Sequence, residues 1–213
     1  MASLKRLAWS IAVSWWLCAA AQAGVYEDMM KAIAIDDQAT VAALLKRGMD
    51  VDTVSPKGEP LLMLAIREGK PGLIRTILAH HPKIDARNAN GETVLMLAAI
   101  KGQTETAKAL IDAGASVNQR GWTPLIYAAT TNQVEIAKLL LEKGANVNAA
   151  AENGTTALMM AAREGHLATV LLLMAKGADI NYKSPYGYTA LGMARTHGRQ
   201  DVVEVLTKAG AKE

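Results

Sequence analysis

Glycine recurs in this chain on three interleaved combs, and that spacing constrains the fold more than any other feature. Gly58, Gly91, Gly121, Gly154 and Gly187 are separated by 33, 30, 33 and 33 residues. A second comb runs through Gly48, Gly114, Gly144, Gly177 and Gly210, and a third through Gly69, Gly102, Gly165 and Gly198. Self-similarity at a fixed period identifies a stack of small units, none of which can bury its apolar face alone. Each first-comb glycine is followed by a short apolar segment, such as TVLMLAA at 93–99, TPLIYAA at 123–129 and TALMMAA at 156–162. A longer segment comes next, such as EIAKLLLEKGANVN at 135–148.

Local chemistry predicts how these segments begin and end. Thr93, Thr123, Thr156 and Thr189 each precede an apolar segment, where a hydroxyl caps the orphan N–H groups of a helix. Pro124 fits the first helical turn, where a missing N–H is harmless. The second and third combs fall at helix ends, which need a left-handed residue. Asp36 and Asn132 replace glycine on the third comb and His81 on the second; these are the residue types most tolerant of positive φ. Ser55-Pro56-Lys57-Gly58 and Ser184-Pro185-Tyr186-Gly187 share one phase and have the composition of tight turns.

Period, combs and motifs together resemble ankyrin repeats over nearly all of 24–213. TPLI at 123–126 matches the family's TPLH except at its last residue, and GADIN at 177–181 matches its hairpin motif. The resemblance implies an all-α solenoid of about six helix-turn-helix units with short β-hairpin fingers. Their expected limits are 24–55, 56–88, 89–118, 119–151, 152–184 and 185–213. Leu45, Leu78, Ile111, Leu141 and Met174 share the phase expected to pack between neighbours, and the last repeat places Thr207 there. At the other end Lys31 takes a phase that Leu64, Leu97, Tyr127, Met160 and Met193 fill later. Terminal repeats of a stack show water one polar face, so both ends read as caps.

Residues 1–23 read as a cleaved secretory signal. Lys5 and Arg6 precede an apolar run to about Ala21, and Ala21-Gln22-Ala23 supplies small residues at a cleavage site before Gly24. The run is shorter than the ~20 residues of a spanning helix. Export to a bacterial periplasm is the expectation, with the extracellular space as the alternative and no stable membrane insertion after cleavage. The chain's single cysteine, Cys18, falls in that segment, so the mature form would carry no thiol chemistry.

Composition narrows the function. Of 23 basic residues, two lie in the signal, leaving 21 against 20 acidic ones, which gives nucleic acid little to attract. Only Ser55, Ser116 and Ser184 follow residue 23, none in a nucleophile elbow, and no phosphate loop or HExxH motif occurs. No enzymatic activity and no cofactor are expected. His80, His81, His166 and His197 sit at helix ends or in helix–helix loops, without the i, i+4 pairing that puts two zinc ligands on one face. Met30, Met63, Met96 and Met159 share one phase where thioethers could hold Cu(I); Ile126 at the same phase favours packing.

The expected function is a monomeric, non-catalytic scaffold that binds a partner protein through its fingers and concave helix face. Inhibition of, or immunity to, one exported enzyme or toxin, and copper handling by the Met stripe, are the alternatives. In the family the phases around the first-comb glycine lie on fingers lining that face. Here they give Glu92, Arg120, Trp122, Tyr186 and Tyr188. The inner-helix phases that line it too include Lys101, Arg163 and Glu164. Trp122 sits in a finger three residues shorter than the others. Two readings follow: a tolerated loop deletion with the Trp covering the apolar surface it leaves, or a notch for the partner flanked by Trp122, Tyr186 and Tyr188, because rigid aromatics dominate interface hot spots.

Overall fold

The computed structural model describes residues 24–212. Residues 1–23, the segment expected to be a secretory signal, with Cys18 among them, lie outside the described residues. The chain divides into two compact units between Pro82 and Lys83.

The first unit holds α1, described over 24–34, α2 (Gln38–Lys46), α3 (Leu61–Arg67) and α4 (Pro71–Leu78). Met29, Val41, Leu61, Met63, Ile66, Leu73 and Ile77 form its dry core, all fully buried. Asp36 turns the chain after α1 with φ 62°. Asp37 then caps α2, its carboxylate accepting from the Thr40 N–H at 3.0 Å and from the Thr40 hydroxyl at 2.6 Å. Those two bonds hold the Asp37 carboxyl below its ordinary value. In the turn at 55–58 the Gly58 N–H donates to the Ser55 carbonyl at 2.8 Å. Both Glu59 carboxylate oxygens meet the Arg67 guanidinium, tying this loop to the end of α3.

The second unit repeats one design four times. Its helices are α5 (Val94–Ile100), α6 (Thr104–Asp112), α7 (Pro124–Thr130), α8 (Val134–Glu142), α9 (Ala157–Glu164), α10 (Leu167–Ala175), α11 (Ala190–Thr196) and α12 (Gln200–Lys208). The inner helices α5, α7, α9 and α11 pack side by side in one layer, and α6, α8, α10 and α12 form a second against it. Helices of seven to nine residues are too short to persist alone in water, so packing must hold them. Leu95, Ala98, Leu125, Ala128, Leu158 and Ala161 are at most 2% exposed. Each fully buried leucine of this set is worth about 1.5–3 kcal/mol.

The predicted caps form. Thr93, Thr123, Thr156 and Thr189 accept through Oγ1 from the N–H of Met96, Ile126, Met159 and Gly192 at 3.0–3.4 Å. Pro124 opens α7. His81 and Asn132, like Asp36, adopt positive φ, at 53° and 56°. Of the phase expected to pack between neighbours, Leu45 is buried, at 5% exposed. Leu78, Ile111, Leu141 and Met174 are only half-buried, whereas their neighbours Ile77, Leu110, Leu140 and Leu173 are fully enclosed. Thr207 is exposed, as its polarity requires.

The loops between units contain no β-strand among the described residues; they hold tight turns and two isolated antiparallel bridges, Val54–Pro60 and Ala150–Thr156. Within the second unit an amide ladder joins successive loops. Asp85 Oδ1 accepts from the Ser116 N–H at 3.1 Å and Asn118 Oδ1 from the Asn146 N–H at 2.8 Å. The series continues with Asn148 Oδ1 accepting from Asp179 N–H at 2.7 Å and Asn181 Oδ1 from Lys212 N–H at 2.8 Å.

Candidate functional site

The residues singled out by phase all occupy the second unit; Arg120 and Trp122 line one cleft there and Arg163 and Tyr188 another, whereas Glu92, Lys101, Glu164 and Tyr186 line neither. The turns at 88–91, 151–154 and 184–187 share one pattern, in which the glycine N–H donates back three residues at 2.8–2.9 Å. The shortened loop at 116–121 is held by side chains instead. Arg87 Nη2 donates to Gln119 Oε1 at 3.1 Å and to the Arg120 carbonyl at 3.4 Å, and Gln119 Nε2 donates to Asp85 Oδ1 at 3.1 Å.

That shortening opens a cleft of about 370 Å³ between the neighbouring loop tips. Asn90 and Gly91 line one side, Glu152 and Asn153 the other, with Trp122, Tyr127 and Met96 between them. Trp122 is half-buried and lies against Tyr127, ring centroids 5.3 Å apart. Burial, helped by the charge of Glu92, pushes the Tyr127 phenol up. Glu92 itself is held in its turn, accepting from Asn88 Nδ2 at 2.9 Å. Arg120 is exposed on the rim of this cleft.

A larger cleft of about 570 Å³ lies between the turn at 183–188 and α11. Tyr188, Lys183, Arg163 and His197 line it with Met193 and Gly192. Tyr186 and Tyr188 are 71% and 56% exposed. Arg163 Nε meets Glu164 Oε1 at 3.5 Å, and the Arg163 carbonyl accepts from Arg199 Nε at 2.9 Å. Lys101 is exposed at the end of α5. The single notch predicted from Trp122, Tyr186 and Tyr188 is therefore divided. Trp122 faces one cleft and Tyr188 the other, because the short loop folds the indole onto Tyr127.

In the methionine stripe Met63, Met96 and Met159 pack as core, and Met30 is half-buried. Met63, Met96 and Met159 are at most 1% exposed, and Met96 Sδ accepts from the Thr93 N–H at 3.3 Å. Among the histidines, His166 Nε2 donates to the Thr130 carbonyl at 3.1 Å and His197 Nδ1 to the Met193 carbonyl at 2.9 Å. Two features escaped the sequence. Lys183 joins the larger cleft only through the path of its loop. Gly192 interrupts the methionine phase, standing five residues after Gly187 as Met159 stands five after Gly154; that break was the available signal.

Paired short helices, stacked in two layers and joined by turns, define a helical-repeat binding protein. The family model for ankyrin repeats (3 copies) matches residues 62–151 and 147–213, and the chain belongs to that family. Its repeats are generally non-catalytic modules for protein–protein interaction. No curated protein matches the chain. Among the described residues no helix is long and apolar enough to cross a membrane.

Proposed function

We propose that this chain is a monomeric, non-catalytic scaffold, exported to the periplasm, that grips a partner protein through its loop tips and inner-helix face. Exposure of Tyr186 and Tyr188 carries the reading. Both rings stand on a turn pinned from inside: the Ser184 N–H donates to the Tyr188 carbonyl at 2.9 Å, and Ser184 Oγ accepts from the Tyr188 N–H at 3.0 Å. Exposed aromatics on a rigid turn offer contact area with little ordering cost on binding. Arg163, Glu164 and Lys101 extend that surface along the inner helices, and Arg120, Glu92 and Trp122 extend it along the loops.

The test is in-cell crosslinking from the full chain, compared with its Tyr186→Ala/Tyr188→Ala variant. One discrete adduct, lost in the variant while the melting temperature holds, is the expected result. An adduct that forms equally in both, or none at all, removes the reading.

A further inference from the structure

Gly192 is out of place. It occupies the third position of α11, a seven-residue helix, where glycine costs roughly 1 kcal/mol relative to alanine. Met96, Ile126 and Met159 fill the corresponding position in the preceding repeats and are at most 1% exposed. The missing side chain coincides with the larger cleft, whose lining includes Gly192 itself. Thr189 and the half-buried Gly192 and Met193 lie deepest there, and the exposed Lys183, Tyr188 and Arg163 stand around them. The balance of charge is one-sided. Two permanent cations line the cleft and no carboxylate does, in a chain whose residues beyond 23 are almost neutral. Arg163 Nε stands 3.5 Å from Glu164 Oε1, and a guanidinium has five N–H donors.

We propose that this cleft is the docking site for an acidic linear segment of the partner protein. One apolar side chain enters the space left by Gly192, and flanking carboxylates meet Arg163 and Lys183. The volume of about 570 Å³ suits one bulky side chain and its neighbours. The proposal rests on the scaffold reading and adds the partner's chemistry to it.

Selection of random linear peptides on the full chain, followed by affinity titration, tests this. Selected peptides should carry Asp or Glu around one apolar residue and weaken as salt rises. Arg163→Gln/Lys183→Gln should reduce affinity about tenfold or more. Gly192→Met should abolish binding by occupying the cleft; a Cβ there meets Thr189 Oγ1 at 3.2 Å, so melting temperature is measured alongside. If that variant does not fold, the charge variant decides. Neutral or basic peptides, affinities unchanged in both variants, tighter binding of an oligothymidylate, or no selectable peptide would each overturn the acidic site. Peptides that bind elsewhere on the chain leave the scaffold reading standing, which its own crosslinking result decides separately.

Discussion

Trp122 lies against Tyr127 with ring planes inclined by 43° and centroids 5.3 Å apart. A tilted aromatic pair at this separation adds about 0.5–1.5 kcal/mol beyond the area it buries. The indole is thus part of the fold as well as of the smaller cleft, unlike Tyr186 and Tyr188. Trp122→Ala should destabilise the chain by about 2 kcal/mol in urea unfolding, whereas Tyr186→Ala should stay within about 0.5 kcal/mol. Leu125→Ala, at a position 2% exposed, provides the upper reference of about 2–5 kcal/mol. A Trp122→Ala variant as stable as the parent would show that the pair contributes nothing.

Asn118 clamps the following loop twice. Its Oδ1 accepts from the Asn146 N–H and its Nδ2 donates to the Gly144 carbonyl, both at 2.8 Å. Asn118→Ala should cost about 1–2 kcal/mol, since two exposed hydrogen bonds are exchanged for bonds to water. Hydrogen exchange at the Asn146 amide should accelerate in step. Unchanged protection at that amide would mean the ladder does not hold the loops.

Asp37 makes α2 sensitive to acid. Its hydrogen bonds from Thr40 lower its pKa below the ordinary 3.8, so the folded chain binds that proton less readily than the unfolded one. The stabilisation is therefore complete above 3.8 and is lost as pH falls through the folded value. The stability difference between the parent and Asp37→Ala should be largest near neutrality and shrink in acid. A difference that stays constant down the titration would contradict the capping role.

The proposed export would leave a mass signature. Ala21-Gln22-Ala23 predicts cleavage before Gly24, so the intact mass of the chain recovered from the periplasm should lack residues 1–23. Full-length chain retained in the cytoplasm would refute the address.

What the sequence determined is what a residue decides within its own turn of chain. Thr93, Thr123, Thr156 and Thr189 reach only the N–H three residues on, and they cap as their positions require. Asp36, His81 and Asn132 adopt positive φ because the helix ends demand it and their side chains tolerate it. Burial was legible in Leu95, Leu125 and Leu158, whose phase recurs in every unit. Contacts between repeats were not. Whether Met63 and Met96 point at metal or into core depends on the enclosing helices, and they are enclosed. Phase left Trp122 open between flanking a partner notch and covering apolar surface, and the loop three residues shorter lays it on Tyr127. Gly192 signals only a break in the methionine phase; the cleft it opens exists only once α11 packs beside α9 and the turn at 183–188 closes over its edge. Those decisions belong to tertiary structure because they turn on how one repeat lies on the next, through contacts such as Arg87–Gln119 and Arg199–Arg163 that join residues 32 and 36 positions apart, beyond the reach of any local preference.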